Sequence, residues 1–159
     1  MSAPSLSDKL DQLTDLPPST FVLHRNPMLL LDRIVGLKPE SAVCEWRVRE
    51  SDEFLVPGSG VPSYIGIEHM AQCIAVHGGA CEHAQGFPPP RGLLLGTRHY
   101  RCEEPYFLLG NHYQVACKIL ISNPDGMCSF DCRIMSGKQF LVEARISILQ
   151  LSRGDTFNE

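Results

Sequence analysis

The chain has 159 residues, 43% of them hydrophobic and 20% charged, which suits one globular domain with a real core. Its formal charge of −4 argues against a broad nucleic-acid surface, and no apolar run approaches the roughly 20 residues that a membrane helix needs. The N-terminus, MSAPSLSDKLDQL, has no cationic start ahead of an apolar stretch, so no secretory signal is expected and a cytoplasmic location is the default.

Residues 5–13 read as a short surface helix capped by Ser5 or Ser7, which DLPPST then breaks. FVLHRNPMLLLDRIVGL (21–37) is apolar around Pro27 and predicts a loop, one helical turn at most, then a strand. SAVCEWRVRE (41–50) alternates, with Ala42, Cys44, Trp46 and Val48 on one face, as a half-buried strand does. VPGSGVPS (56–63) is loop chemistry and leads into a long helix from about Ser63 to Ala84, ended by GFPPPRG. Strand then follows strand: 93–103, then 112–122 with Tyr113, Val115, Cys117, Ile119 and Ile121 on one face, then 127–135 with Cys128, Phe130, Cys132 and Ile134 on one face. The last, 139–150, turns Phe140, Val142, Ala144, Ile146 and Ile148 inward. NPDG and SGK are the turns between them. One domain is expected over 1–159, with 1–19 a helix and linker and 151–159 a loose tail.

The long helix is apolar on nearly every side and must be covered on every side. One curved antiparallel sheet wrapped around a single helix meets that demand, so the predicted class is α+β. A long sheet leaves an edge strand open, and a dimer of identical or related chains would close it. Seven cysteines are many for this length, but their number is odd and their spacing fits no zinc pattern. They read as small buried apolar residues, with no metal and no disulfide expected.

Within the helix, VPSYIGIEHMAQ (61–72) plants a carboxylate, Glu68, among Tyr64, Ile65, Ile67, Met70, Ala71 and Ile74. Helical spacing puts it on a face with Ile65 and Gln72, with Cys73, Ala75 and His77 at the margins. An exposed acid stabilised by the helix N-terminus is the plain explanation. The apolar neighbourhood favours a functional one, because a buried charge is costly unless paired, neutralised or used.

IEHMAQ preceded by PG and P, together with LHRNPMLLLDRIVGL and LLLGTRHYRCEEPYFLLGNHYQV, resembles the 3-hydroxyacyl-[acyl-carrier-protein] dehydratases of the hotdog fold over about residues 20–150. Within that family the wording is most similar to the dehydratase-like proteins of aryl polyene pigment clusters. The resemblance implies removal of water from a 3-hydroxyacyl thioester in fatty acid or polyene-type synthesis. No cofactor is implied beyond the phosphopantetheine of an acyl carrier protein, which carries the substrate. In the family a histidine takes the proton beside the carbonyl, and an acid on the partner subunit's central helix protonates the leaving hydroxyl. Burial would keep that acid neutral, and helix N-terminal N–H groups would polarise the thioester. Glu68 matches the acid, and Gln72 matches the glutamine that holds it. Pro57 and Gly58 align with the family's substrate loop, and Ser63 lies at the helix entry.

The pattern breaks at the base. The family histidine falls on Leu55, which cannot accept a proton. His24 is the candidate replacement, against a structural role for it in hydrogen bonding to backbone. His69 should point elsewhere, His77 reads as a core histidine, His83 as exposed, and His99 and His112 as facing solvent or an interface. Arg91, Arg98 and Arg101 would steer an acidic carrier protein, unless they form a merely solvated strand face. Two alternatives stand beside a dehydratase acting by itself: a non-catalytic or half-catalytic subunit paired with a histidine-bearing dehydratase, and an acyl thioesterase.

Overall fold

The computed structural model describes residues 2–152. Helix α1 (Leu6–Asp11) begins at Ser5, whose hydroxyl accepts from the Asp8 N–H while the Asp8 carboxylate accepts from the Ser5 N–H, a reciprocal cap. A single 3-10 turn, Pro18–Thr20, then leads to β1 (Arg33–Lys38) and β2 (Ser41–Arg47). The short β3 (Val61–Pro62) and a 3-10 turn over Ser63–Ile65 deliver the chain to α2 (Gly66–His83). After it come β4 (Gly92–Cys102), the short β5 (Tyr106–Phe107), β6 (His112–Ser122), β7 (Met127–Ser136) and β8 (Gln139–Gln150).

Six strands make one antiparallel sheet in the order β1-β2-β6-β7-β8-β4, and β3 pairs with β5 apart from it. The tight turns keep β6, β7 and β8 as neighbours, while β4 crosses to the far edge beside β8. The sheet wraps α2, which buries Met70, Cys73, Ile74, Val76 and Ala80 against it. This is the hotdog fold. No helix among the described residues is long and apolar enough to cross a membrane.

Alternation predicts the inner faces well until a strand slips. Ile121 and Phe140, expected inside, are both exposed. The register shifts between Ile119 and Ile121, and again between Ile134 and Met135. Such a slip reverses the facing of every residue beyond it. Leu141 takes the buried place instead, and the Phe140 ring lies beneath the Arg133 guanidinium, 5.3 Å from its centroid.

All seven cysteines are free, five of them buried. Cys73 of α2 meets Cys117 at 3.7 Å, and Cys117 pairs across the sheet with Cys132. Hydrogen bonding to Cys117 and Cys44, together with burial, pushes the Cys73 thiol well up, so it is inert. Leu151 continues the pairing by donating its N–H to the Arg91 carbonyl, so the expected loose tail does not begin at 151. The remainder of that tail, 153–159, lies outside the described residues.

Two glycines let other segments approach α2 closely. A Cβ on Gly79 would collide with the Phe21 carbonyl, which seats segment 18–22 directly on the helix. A Cβ on Gly66 would come within 2.9 Å of Ile134 and 3.0 Å of the Tyr100 hydroxyl. That hydroxyl donates to the Ser63 carbonyl and fixes the helix entry to β4. Burial pushes the Tyr100 phenol well up, so it stays a donor.

Candidate active site

Glu68 sits in the first turn of α2, where the positive end of the helix dipole favours negative charge. His24 comes to it from the loop after the Pro18–Thr20 turn. His24 Nε2 lies 3.6 Å from Glu68 Oε1 within the same chain. The family arrangement in which the acid comes from the partner subunit is therefore not needed to bring these two together.

Gln72, one helical turn on, fixes the carboxylate. It is fully buried, and its Nε2 donates to Glu68 Oε1 at 2.9 Å and to the Met28 carbonyl at 2.7 Å. Its Oε1 accepts the Leu30 N–H at 2.8 Å. Both donors and the acceptor are thus committed, and α2 is tied to segment 28–30 through the same side chain that orients Glu68.

Beside the pair lies a cavity of about 400 Å³. Ala71, Ile74, Ala75 and Gly78 of α2 line one wall, and Leu93 and Leu94 of β4 the other. It runs from Glu68 along about three turns of helix, roughly 15 Å at 1.5 Å per residue, to Arg91. The size and apolar lining suit an acyl chain.

The expectation of a dry acid is corrected: the Glu68 side chain is 39% exposed and that of His24 is 38% exposed. The β4 edge beside the cavity is open, so this chain alone does not desolvate the pair. His24 Nδ1, by contrast, is enclosed without a hydrogen-bond partner.

Of the other residues singled out in the sequence, Arg91 lines the cavity, while Arg98 and Arg101 are exposed farther along β4, paired in register with Arg145 and Glu143. They do not form one cluster with Arg91. Pro57, Gly58 and Ser63 do not line the cavity, and neither does Leu55. Pro57 and Gly58 stand exposed in the loop before α2, and Ser63 is buried at the helix entry. Cys73 and His77, expected near the Glu68 face, turn to the sheet side. Cys73 contacts the Ala42 and Val115 carbonyls, and His77 Nε2 meets the Lys38 and Pro39 carbonyls. The true face follows the i, i+3, i+7, i+10 series Glu68, Ala71, Ala75, Gly78, a run of small residues visible in the sequence. The backbone grip of Met28 and Leu30 on Gln72 has no sequence signal, because it uses main-chain atoms.

The sequence model of the ApeP-like family, described as ApeP dehydratase, matches residues 16–159, and the chain belongs to this dehydratase family. No curated protein matches it in sequence. Among solved structures, the dehydratase heterocomplex ApeI:P from Xenorhabdus doucetiae is similar with a TM-score of 0.81 at 27% identity, over 87% of this chain and 93% of that one. Two structures share the fold alone. One is a hypothetical thioesterase with coenzyme A from Streptococcus pneumoniae, with TM-score 0.60, 11% identity, and 76% and 85% of the two chains covered. The other is a Streptococcus mutans protein bound to acetyl CoA, with TM-score 0.61, 9% identity, and 81% and 97% covered.

Proposed function

We propose that this protein dehydrates a carrier-protein-bound 3-hydroxyacyl thioester to the 2-enoyl thioester, with Glu68 as acid and His24 as base. The observation that carries this reading is the 3.6 Å approach of His24 Nε2 to Glu68 Oε1 at one end of an acyl-sized apolar cavity. His24 takes the proton from the carbon next to the thioester carbonyl, and that electron pair becomes the new carbon–carbon double bond. The carbon–oxygen bond breaks as Glu68 gives its proton to the hydroxyl, and water leaves. The proton gained by His24 then passes to Glu68, which restores both groups. The α2 N-terminus supplies N–H groups for the thioester oxygen. Arg91 at the cavity, with Arg98 and Arg101 along β4, offers positive charge to an acidic carrier protein and its phosphopantetheine arm.

The working unit is a pair of hotdog chains. The open β4 edge carries exposed Leu93, Leu94 and Leu95, and covering it would dry the half-solvated Glu68. A related dehydratase chain is the favoured partner, in keeping with the similar heterocomplex. Leu55 gives a second reading its force: the chain lends Glu68 to a partner that still carries the loop histidine.

The test is enoyl thioester formation from 3-hydroxyacyl carrier protein, by the chain alone and with a histidine-bearing hotdog partner. Glu68→Gln should lower the rate about 10²–10⁴-fold with folding intact. Activity of the lone chain that is lost in His24→Ala supports the same-chain pair. Activity found only with the partner, and kept in His24→Ala, selects the second reading. Full activity in Glu68→Gln overturns both, and release of free acid instead of enoyl product would make the protein a thioesterase.

A further inference from the structure

A second cavity of about 380 Å³ lies on another flank of the first turn of α2, and it shares no lining residue with the one beside Glu68. Trp46, Phe54 and Ile65 give it apolar walls, and Arg47, Arg49 and Asp52 stand among its polar lining. His69, the residue after Glu68 and about 100° around the helix, also lines it.

His69 is only 3% exposed. Its ring stacks on Trp46 with centroids 3.9 Å apart, and Phe107 meets it at a near right angle at 5.8 Å. Nδ1 lies 3.1 Å from the Ile65 carbonyl oxygen. A carbonyl can only accept, so Nδ1 carries the hydrogen. Burial pushes the ring down to about 4, so it is neutral near pH 7 and Nε2 holds a bare lone pair. That nitrogen has no hydrogen-bond partner among the described residues. It is not sealed in either, since His24 Nδ1 is the one enclosed, unpartnered side-chain polar atom among them. Nε2 therefore opens onto the cavity its residue lines.

Of the charged lining, Asp32 and Arg49 are paired with each other, while Arg47 and Glu53 are exposed. Asp32 accepts from the Arg49 guanidinium and the Arg47 N–H, and Asp52 accepts the Arg49 N–H. What the cavity lacks is a donor for His69. An acceptor-only ligand would set lone pair against lone pair. An ammonium ion would lose hydration against the apolar walls. A hydroxyl on a hydrocarbon body satisfies both demands.

We propose that this cavity is a binding site for a small neutral alcohol or phenol, whose O–H donates to His69 Nε2 while its hydrocarbon body rests on Trp46, Phe54 and Ile65. The site is independent of the dehydration chemistry assigned to Glu68.

Cyclohexanol and cyclohexanone test it, being alike in size but differing in the donor. Binding is followed by NMR at the Trp46 indole, the single tryptophan of the chain, and at the His69 ring nitrogens. Cyclohexanol should bind at least about tenfold more tightly than the ketone, because a site built around an acceptor penalises a ligand without the donor. His69→Phe keeps a flat ring on Trp46 and should abolish that preference. The unaltered protein supplies a second measurement that does not depend on the variant's folding. The Nε2 resonance should move upfield on saturation with cyclohexanol and stay in place with cyclohexanone. Equal affinity for the two probes overturns the proposal. So does a Trp46 response with a stationary Nε2 resonance. Absence of saturable binding of either probe would also overturn it and leave the cavity to water.

Discussion

Gln72→Leu separates the two duties of the glutamine, holding the fold and aiming the acid. Leucine fills a similar volume, so the change leaves little cavity, but it strips partners from the Met28 carbonyl and the Leu30 N–H. Each stranded backbone group costs about 1–3 kcal/mol when kept from water. Both bonds are only partly buried, so the lower half of that range applies, giving about 2–4 kcal/mol in all. At about 2–4 °C per kcal/mol for a chain of this length, melting should fall by about 4–16 °C. Glu68 also loses its 2.9 Å donor and can swing toward solvent, so turnover by the folded fraction should fall about 10–100-fold. Thermal unfolding by circular dichroism and enoyl formation at a temperature well below melting read the two effects apart. A variant melting within about 1 °C of the parent, with full turnover, would refute the idea that Gln72 braces the site.

Gly79→Ala should cost about 1–3 kcal/mol in overpacking as its Cβ drives Phe21 off the helix, of which the propensity gain of about 1 kcal/mol offsets part, leaving a net destabilisation of up to about 2 kcal/mol in urea titration. A more stable variant would show that segment 18–22 is free to give way. Acid should weaken the fold through two histidines. His69 is held at about 4 by burial, and His77 is lowered by burial as well, so below the ordinary histidine value of 6.5 the unfolded chain binds more protons than the folded one. Stability is therefore complete above about pH 6.5 and declines toward pH 4, with His69 alone accounting for about 3 kcal/mol. Unfolding free energies across that range should lose much of this slope in His69→Phe. An unchanged slope would remove His69 as its source.

The sequence alone determined the elements and their faces. Alternation in 41–47 and 127–134 placed Trp46, Phe130 and Ile134 inside, because a strand's period of two leaves little freedom once one face is buried. It also marked Glu68 as out of place and Gln72 as its neighbour, since residues four apart on a helix must meet. Tertiary structure decided what depends on contacts between distant segments. The bulges that turned Ile121 and Phe140 outward are register choices between strands, which neither strand encodes by itself. That His24 reaches Glu68 across 44 positions depends on segment 18–22 seating on Gly79 and on backbone atoms of residues 28 and 30 gripping Gln72. Main-chain hydrogen bonds carry no side-chain signature, so only the folded chain could show that the acid and the candidate base share one cavity.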